Sequence, residues 1–223
     1  MRRLAVLHTV GMLVERFKGL LAGAVPASVD VVHMLDESLL RDLMREGETP
    51  AIVRRVVSLA TQAADSGAGL IVFTCSSTSP AIDVARQVVG VPIMKIDDPM
   101  AARAVEAGSR IGIVCTTSST KGPSEALVRA HAATAGKRVD VEAMLVPGAF
   151  DALQAGRRDE HDRLVGEAAL AVAARNAGVA LLKNAATQFA VRALHHTTVH
   201  IKGKTVESNV LGLFCAQGCS LLR

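Results

Sequence analysis

Short runs of apolar residues, many of them β-branched, alternate along the chain with longer segments in which apolar residues recur every three or four positions. Runs such as Leu70–Thr74 are typical of buried strands, and Pro50–Asp65 has the period of a helix. The pattern predicts strands at Leu4–His8, Val29–His33, Leu70–Thr74, Val91–Ile96, Arg110–Cys115, Val139–Leu145 and Val179–Leu182. It predicts helices at Met12–Ala22, Ser38–Met44, Pro50–Asp65, Pro80–Val89, Pro99–Ala107, Ser124–Ala135, Phe150–Ala155 and Asp162–Ala177.

The order of these elements predicts an α/β fold. Strands that alternate with longer helices form βαβ units and parallel sheets. The rhythm restarts near residues 97–99, so we expect a first α/β lobe over 1–97, a second over 98–182 and an atypical tail over 183–223. Ligands of open α/β sheets bind outside the carboxyl ends of the strands. Candidate chemistry is therefore expected just after the predicted strands end.

Composition excludes several classes of protein. With no Trp, no Tyr and five Phe, the chain lacks an aromatic surface for stacking single-stranded nucleic acid, and no nucleic-acid partner is expected. No apolar run approaches the roughly 20 residues of a membrane-spanning helix, so no membrane partner is expected. Four Cys in 223 residues do not form a dense disulfide framework, which favours a cytoplasmic location.

The net charge of +4 is concentrated in the tail. From Lys183 to Arg223 five basic residues accompany one acid, Glu207, whereas residues 1–182 are neutral. Basic residues this sparse do not make a nucleic-acid arm. The charge therefore says little about the partner of the main body of the chain.

One segment has the composition of a reactive site. Thr74–Pro80 follows the third predicted strand and contains Cys75 among small hydroxyl side chains that open a helix. Unpaired N–H groups at a helix N-terminus favour a thiolate and can also hold a carboxylate. The alternative is a buried structural Cys beside an ordinary Ser/Thr cap.

Four segments between residues 3 and 182 carry a family resemblance: Leu4–His8, Ile71–Ser77, Val91–Ile93 and Arg110–Thr117. They resemble the aspartate/glutamate racemase superfamily, which includes hydantoin racemases and related isomerases and decarboxylases. Two further segments, Asp36–Leu40 and Gly148–Phe150, look like a particular branch of it. The resemblance implies two Rossmann-like lobes with an active-site cleft between them. It also implies chemistry without pyridoxal phosphate, metal or any other cofactor.

The resemblance also implies roles for individual residues. Two cysteines of the family face each other across the substrate's α-carbon, one removing a proton and the other delivering one, and Cys75 matches the first. The substrate carboxylate and the developing enolate would be held by backbone N–H groups with nearby polar side chains, namely Thr74, Ser76, Ser77, Thr116 and Thr117. The alternative for Thr116 and Thr117 is an ordinary polar loop between a strand and a helix.

The second family cysteine is missing. It should follow the strand Val179–Leu182, where the chain has Lys183–Thr187 and no thiol. His8, at the end of the first strand, is a candidate replacement acid or substrate-binding residue because imidazole titrates near neutrality. It is otherwise a hydrogen-bonded loop His. Cys115 ends an apolar strand and is expected to pack as a small hydrophobe.

The tail departs from the helix rhythm in the stretch that should hold the missing thiol. The family would return a helix to the first lobe here, but residues 183–223 show none of its pattern. Two explanations stay open, a zinc site using residues such as His196, His200, Cys215 and Cys219, and a frameshifted end of the reading frame. Without a nameable ligand spacing, no metal is expected.

These observations predict a cofactor-independent racemase or isomerase with Cys75 as the acid/base. Its substrate would be a small carboxylate: an amino acid, a hydantoin or a substituted dicarboxylate. The alternatives are a one-cysteine decarboxylase or isomerase, a protein that binds such an acid without turning it over, and a thiol redox protein. By analogy with relatives, the chain is expected to form a homo-oligomer.

Overall fold

The computed structural model describes the backbone of residues 2–175, 179–182, 199–201 and 204–207, and side chains within residues 2–172. The chain divides between Ile96 and Asp97 into two compact units. Each unit has a mainly parallel sheet flanked by helices, so the α/β fold class predicted from the sequence is confirmed.

The first unit is built around a four-stranded parallel sheet with the strand order β2-β1-β3-β4. Its strands are β1 (Arg2–His8), β2 (Val29–Leu35), β3 (Ala68–Phe73) and β4 (Ile93–Lys95). Its helices are α1 (Met12–Ala22), α2 (Glu37–Glu46), α3 (Pro50–Asp65) and α4 (Ser79–Val88), and a 3-10 turn at Ser76–Thr78 precedes α4. All four strands point the same way, so their carboxyl ends share one edge of the sheet.

Helix α3 shows how the sequence determines this packing. It begins with Pro50, whose fixed φ suits the first helical turn, and the Thr49 hydroxyl caps it by accepting from the N–H of Ile52 at 3.3 Å. Its apolar stripe joins one buried cluster with Leu7 and Phe73 of the central strands. The stripe consists of Ile52, Val56, Ala60 and Ala63. Burial of this stripe explains why a helix forms where the 3.6-residue period predicts one.

The second unit has a five-stranded sheet with the order β6-β5-β7-β9-β8. Its strands are β5 (Arg110–Cys115), β6 (Asp140–Leu145), β7 (Val179–Leu182), β8 (Val199–Ile201) and β9 (Lys204–Glu207). Its helices are α5 (Asp98–Ala107), α6 (Ser118–Thr134), α7 (Ala149–Gln154) and α8 (Arg158–Arg175). Every neighbouring pair is parallel except β8 with β9.

Helix α6 begins six residues earlier than predicted, at Ser118 instead of Ser124. Gly122 and Pro123 both lie inside the helix. Pro123 has no backbone N–H to donate, and the helix nevertheless continues on both sides of it. The hydroxyl groups that follow β5 therefore belong to the first turns of a helix rather than to a long loop.

The described part of the tail adds two strands that were not predicted. Strand β9 pairs with β7 in parallel, with Val206 opposite Ala180, and β8 closes the sheet as an antiparallel edge. Three expectations concern residues that lie wholly or largely outside the described ranges. They are the return of the tail to the first lobe, the zinc and frameshift alternatives, and the position of the missing thiol at Lys183–Thr187. Among the described residues, none of the helices combines the length and apolarity needed to span a bilayer.

Candidate functional site

Two strand ends of the first sheet place Thr74 and His8 side by side. Strands β1 and β3 are neighbours in register, with Leu7 opposite Phe73, so the residues that follow them meet at the carboxyl edge. The backbone N–H and the hydroxyl of Thr74 both donate to the carbonyl oxygen of Leu7, at 3.0 and 3.2 Å. These two bonds continue the sheet ladder by one residue and hold Thr74 in a fixed position.

Cys75 is the residue at which the chain leaves the sheet. It is extended and 9% exposed, and the 3-10 turn Ser76–Thr78 follows it at once. The hydroxyl of Thr78 donates to the carbonyl oxygen of Cys75 at 2.8 Å, which closes the turn. Ser76, Ser77 and Thr78 are all buried. The thiol therefore lies at the start of a tight turn of hydroxyl side chains, and it forms no disulfide within the described residues.

His8 is fully buried, and both of its ring nitrogens are hydrogen bonded. Nδ1 lies 3.1 Å from Thr74 Oγ1, and Nε2 lies 2.9 Å from Nδ1 of His33 on β2. Because the Thr74 hydroxyl donates its proton to Leu7, it accepts from His8 Nδ1–H, and His8 Nε2 then accepts from His33 Nδ1–H. The two imidazoles stack at 5.2 Å and 13°, and Phe17 packs its edge against His8.

This environment keeps His8 neutral. Burial first, and then the neighbouring His33, lower the pKa of His8 to about 4. Burial and the Lys18 ammonium lower the pKa of His33, while the Glu15 carboxylate opposes them. The pKa of His8 therefore lies below the near-neutral value of a free imidazole, because a buried imidazole next to a second imidazole disfavours the charged form. His8 holds Thr74 through a neutral hydrogen bond.

His33 is a member of this cluster that sequence reasoning missed. It ends the predicted strand Val29–His33, as His8 ends the predicted strand Leu4–His8. Two histidines at the ends of adjacent parallel strands are a signal that could have been found. Their pairing depends on the strand order, which places β2 directly beside β1, with Val6 opposite His33.

The turn after β2 supports the same edge. The backbone N–H of Asp36 donates to the carbonyl oxygen of His8 at 3.0 Å, so this turn is fastened to the end of β1. Arg55 of α3 donates to the Asp36 carboxylate at 2.6 Å and to Asp42 of α2 at 2.7 Å. A charged hydrogen-bond network thus stabilises the turn that follows β2 at the carboxyl edge of the first sheet.

In the second unit, Thr116 and Thr117 follow β5 and are buried. Thr117 Oγ1 lies 3.2 Å from Thr120 Oγ1 and accepts from the Ser119 hydroxyl at 3.3 Å. The Thr120 hydroxyl also donates to the Thr117 carbonyl at 2.8 Å. The first turn of α6 carries no acidic residue. This turn is therefore rich in hydroxyls and suited electrostatically to an anion, and the substrate-binding role of Thr116 and Thr117 stays a prediction.

Cys115 is more deeply buried than Cys75. It is the last residue of β5, its side chain is completely buried, and burial raises the pKa of its thiol although hydrogen bonds with Thr120 and Ser124 oppose this. A thiol with a raised pKa is a poor nucleophile and a poor base near neutral pH. Cys115 thus packs as the small hydrophobe that the strand pattern predicts.

The structure places the sequence-predicted residues in two groups. His8, Thr74, Cys75, Ser76 and Ser77 lie together at the carboxyl edge of the first sheet. Thr116 and Thr117 occupy the corresponding edge of the second sheet. Each group follows the end of a central strand, as is usual for ligand sites in open α/β sheets.

Solved structures with the same fold include several enzymes. A glutamate racemase isoform from Bacillus anthracis aligns with 99% of this chain and 81% of that protein, at 11% identity and a TM-score of 0.66. An aspartate racemase homologue from Pyrococcus horikoshii aligns over 99% and 100%, at 13% identity and a TM-score of 0.65. A glycine-to-cysteine mutant of arylmalonate decarboxylase aligns over 99% and 93%, at 15% identity and a TM-score of 0.56. At these identities the likeness shows the fold.

Sequence comparison supplies the family. No curated protein is similar enough in sequence to match this chain. A family model does match, that of the Asp/Glu/Hydantoin racemases, over residues 20–202. That range includes Cys75, both strands that precede the two hydroxyl-rich turns, and most of the two units. The chain therefore belongs to the Asp/Glu/Hydantoin racemase family.

Proposed function

We propose that the protein is a cofactor-independent racemase or isomerase that acts at the carbon α to a carboxylate of a small amino acid or related acid. In this proposal the Cys75 thiolate is the base that removes the α-proton. Membership of a racemase family supports the class of reaction. The observation that carries the choice of residue is the position of Cys75, which comes two residues after the end of β3 and opens a turn of buried hydroxyls.

The reaction requires fixed hydrogen-bond donors around the substrate. An α-proton beside a carboxylate is very weakly acidic, so its removal depends on stabilising the charge that develops on the carboxylate oxygens. Backbone N–H groups after Cys75, with the hydroxyls of Ser76 and Ser77, would supply one set of donors. The turn at Thr116 and Thr117 would supply another. Because these groups are already held in place, they would need little reorganisation during the reaction.

His8 supports the proposal as a neutral scaffold rather than as an acid. Its Nδ1–H donates to Thr74 Oγ1 at 3.1 Å, and Thr74 immediately precedes the thiol. A charged imidazolium here would lie buried beside His33, which is unfavourable and which the lowered pKa of His8 reflects. The histidine pair would thus fix the backbone from which Cys75 projects.

One observation favours a second candidate, a one-cysteine decarboxylase or isomerase. Residues 183–187 contain no Cys, where the family resemblance places the second thiol. In a decarboxylation the bond between the α-carbon and one carboxylate breaks, CO2 leaves, and the electron pair stays on the α-carbon. The Cys75 thiol then donates its Sγ proton to that carbon and recovers it from solvent. A cytoplasmic location and a homo-oligomeric assembly stay predictions.

Exchange of the α-proton tests the proposal directly. The full-length protein would be incubated in deuterated water with amino acids, hydantoins and substituted dicarboxylic acids. Proton NMR would follow loss of the α-proton signal and the appearance of any decarboxylated product, whose formation accompanies release of CO2. We expect exchange with at least one acid. Replacement of Cys75 by Ser is expected to slow it by at least about 100-fold, because the general base is lost.

Cys115 provides the matched control. Cys115→Ala removes a buried thiol at the end of the other central strand and is expected to leave exchange within a few-fold of the wild type. Binding of an acid without any exchange would identify a binding protein and overturn the proposal. Exchange that survives Cys75→Ser would show that another residue is the base. CO2 release without racemisation would select the decarboxylase.

A further inference from the structure

An open cavity of about 380 Å³ lies within the first unit, between α1 and β2. Strand β2 is the edge strand of its sheet, and none of its seven residues is fully buried. Helix α1 packs against the neighbouring strand β1 on this face, where Phe17 lies edge-on to His8. Among the described residues that line the cavity, none belongs to the turn at Cys75. The cavity is therefore a feature of the first unit alone, apart from the proposed chemistry.

Each wall of the cavity follows one face of one element. Alternate residues of a strand share a face, and the strand wall consists of Val29, Val31 and His33. Residues three or four positions apart share a face of a helix, and the helix wall includes Lys18, Leu21 and Val25. Val25 follows the end of α1, but its N–H donates to the carbonyl oxygen of Leu21 at 2.9 Å, so the helical face continues to it.

The cavity is polar at one end and apolar at the other. Helix α1 connects the parallel strands β1 and β2, so it runs opposite to them, and Lys18 and His33 lie at the same end. Burial and then the Lys18 ammonium lower the pKa of His33, which confirms that the two groups are close. The opposite end is lined by valines. From His33 back to Val29 the strand spans about 13 Å, longer than an extended octanoate chain.

Both groups at the polar end are available to an anion. Lys18 Nζ lies 2.6 Å from the carboxylate of Glu15 on its own helix, and the two side chains are 52% and 80% exposed. Exposed ion pairs of this kind contribute little and exchange partners readily. His33 uses Nδ1 for His8, at 2.9 Å. Its Nε2, on the other side of the ring, has no hydrogen bond within the part of the chain that the structure describes.

We propose that this cavity binds a medium-chain aliphatic monocarboxylic acid in its ionised form. The carboxylate contacts Lys18 Nζ and His33 Nε2, and takes the place of Glu15 beside the ammonium. The hydrocarbon chain lies along Val31 and Val29. Charge complementarity at the polar end selects the headgroup, and the apolar walls select the tail. The site is independent of the proposed reaction at the turn after β3.

Binding of the acid is coupled to uptake of a proton. His33 donates its Nδ1–H to His8, so Nε2 of the neutral ring carries no proton. To donate to a carboxylate, His33 takes a proton from solvent at Nε2 and becomes an imidazolium. The charged or titratable groups that act on it are Lys18 and Glu15 from α1 and His8 from β1. A bound carboxylate offsets the Lys18 charge, so the affinity rises as the pH falls.

Calorimetric titration of octanoate into the full-length protein tests the proposal. We expect saturable binding at pH 6 that is weaker by at least about threefold at pH 8. Octanamide has the same chain without the charge and should bind at least about tenfold more weakly. Hexanoate and butanoate should bind progressively more weakly, by about twofold for each CH2 removed, because the open cavity buries the chain only in part.

Matched variants locate the acid on the protein. Lys18→Glu should weaken octanoate binding about tenfold, whereas Arg54→Glu, the same charge reversal at an exposed position of α3 outside the cavity, should leave it unchanged. Cys75→Ser should also leave it unchanged. In the wild type, the Nε2 nitrogen NMR shift of His33 should move when octanoate is added.

Four results would overturn the proposal. They are no saturable binding of octanoate, equal binding of octanamide, a His33 shift that is unchanged at saturating octanoate, and binding that is lost in Cys75→Ser but kept in Lys18→Glu. The last would place the acid at the turn after β3. The absence of α-proton exchange would contradict the proposed function and leave this inference intact.

Discussion

Among the described residues, two histidines are fully buried, His8 and His161, and they differ in their hydrogen bonding. Both ring nitrogens of His8 are hydrogen bonded, to Thr74 and His33, whereas His161 uses one nitrogen for Asp162 and leaves the other without a partner among the described residues. Burial alone therefore does not determine whether both nitrogens of an imidazole are hydrogen bonded.

The two described cysteines differ by two positions relative to the ends of their strands. Cys115 is the last residue of β5 and is fully buried, whereas Cys75 comes two residues after the end of β3 and heads a turn. Side chains within a strand usually pack against the core, whereas residues just beyond a strand end lie in connecting segments, which often carry binding or catalytic groups. Both comparisons show that residues of similar burial differ in their hydrogen bonding or in their position relative to a strand end.

One of the two largest expected effects comes from making the same change at both histidines. His8→Leu should reduce the free energy of unfolding by about 2 kcal/mol more than His161→Leu, because it removes two hydrogen bonds of a buried side chain and leaves the half-buried His33 without this partner. His161→Leu removes one hydrogen bond and also an unpaired buried nitrogen, so those contributions partly cancel. Urea unfolding of the two variants, followed by circular dichroism, measures the difference. An equal loss at both positions would contradict the assigned hydrogen-bonding states.

The pH dependence of stability gives the other large effect. The folded pKa of His8, about 4, is below its unfolded value of about 6.5. Its contribution to stability is therefore complete above pH 6.5 and is lost as the pH falls toward and through 4, since the unfolded chain binds the proton more readily. Over that range the loss approaches about 3 kcal/mol.

The matched variant isolates this contribution from the other titrating groups. Wild type and His8→Leu would be unfolded in urea at half-unit steps from pH 7.5 to pH 4. The free energies of unfolding of the two proteins should converge as the pH falls. A constant difference between them over the whole range would show that His8 has an ordinary pKa in the folded protein.

The sequence predicts the fold well where burial is periodic. The bounds of Pro50–Asp65 and Arg110–Cys115 agree with α3 and β5, because the apolar stripe of the helix and the buried strand face the core throughout. The start of α6 was missed, since Gly122 and Pro123 obscure a helix that tolerates them. Strands β8 and β9 were missed because strands of three and four residues that include polar positions give no periodic signal.

The candidate site was only partly predictable, for a physical reason. The position of Cys75 follows from local sequence, since a strand end followed by hydroxyls can be identified without tertiary structure. The partnership of His8 with His33 requires the strand order. His161 was placed before the predicted helix Asp162–Ala177, and the observed helix starts at Arg158. His161 belongs to the buried stripe of α8 because the helix begins at Arg158, before His161.

The smallest expected effect is the difference in reactivity between the two described cysteines. Iodoacetamide at pH 8 should modify Cys75 at least about tenfold faster than Cys115 in the folded protein, equivalent to about 1.4 kcal/mol. Cys115 is fully buried and burial raises the pKa of its thiol, so little thiolate is available there. Cys75 retains some exposure and heads a turn.

Trypsin separates the relevant thiols, because Cys75 falls in the peptide Val56–Arg86, Cys115 in Ile111–Lys121, and the two remaining cysteines in Thr205–Arg223. Mass spectrometry of quenched samples then gives a rate for each peptide. In urea the two described cysteines should react at similar rates, which shows that the difference belongs to the fold. Equal rates in the folded protein would mean that the end of β5 opens to solvent as readily as the turn after β3, and the distinction between packed and reactive strand ends would then fail.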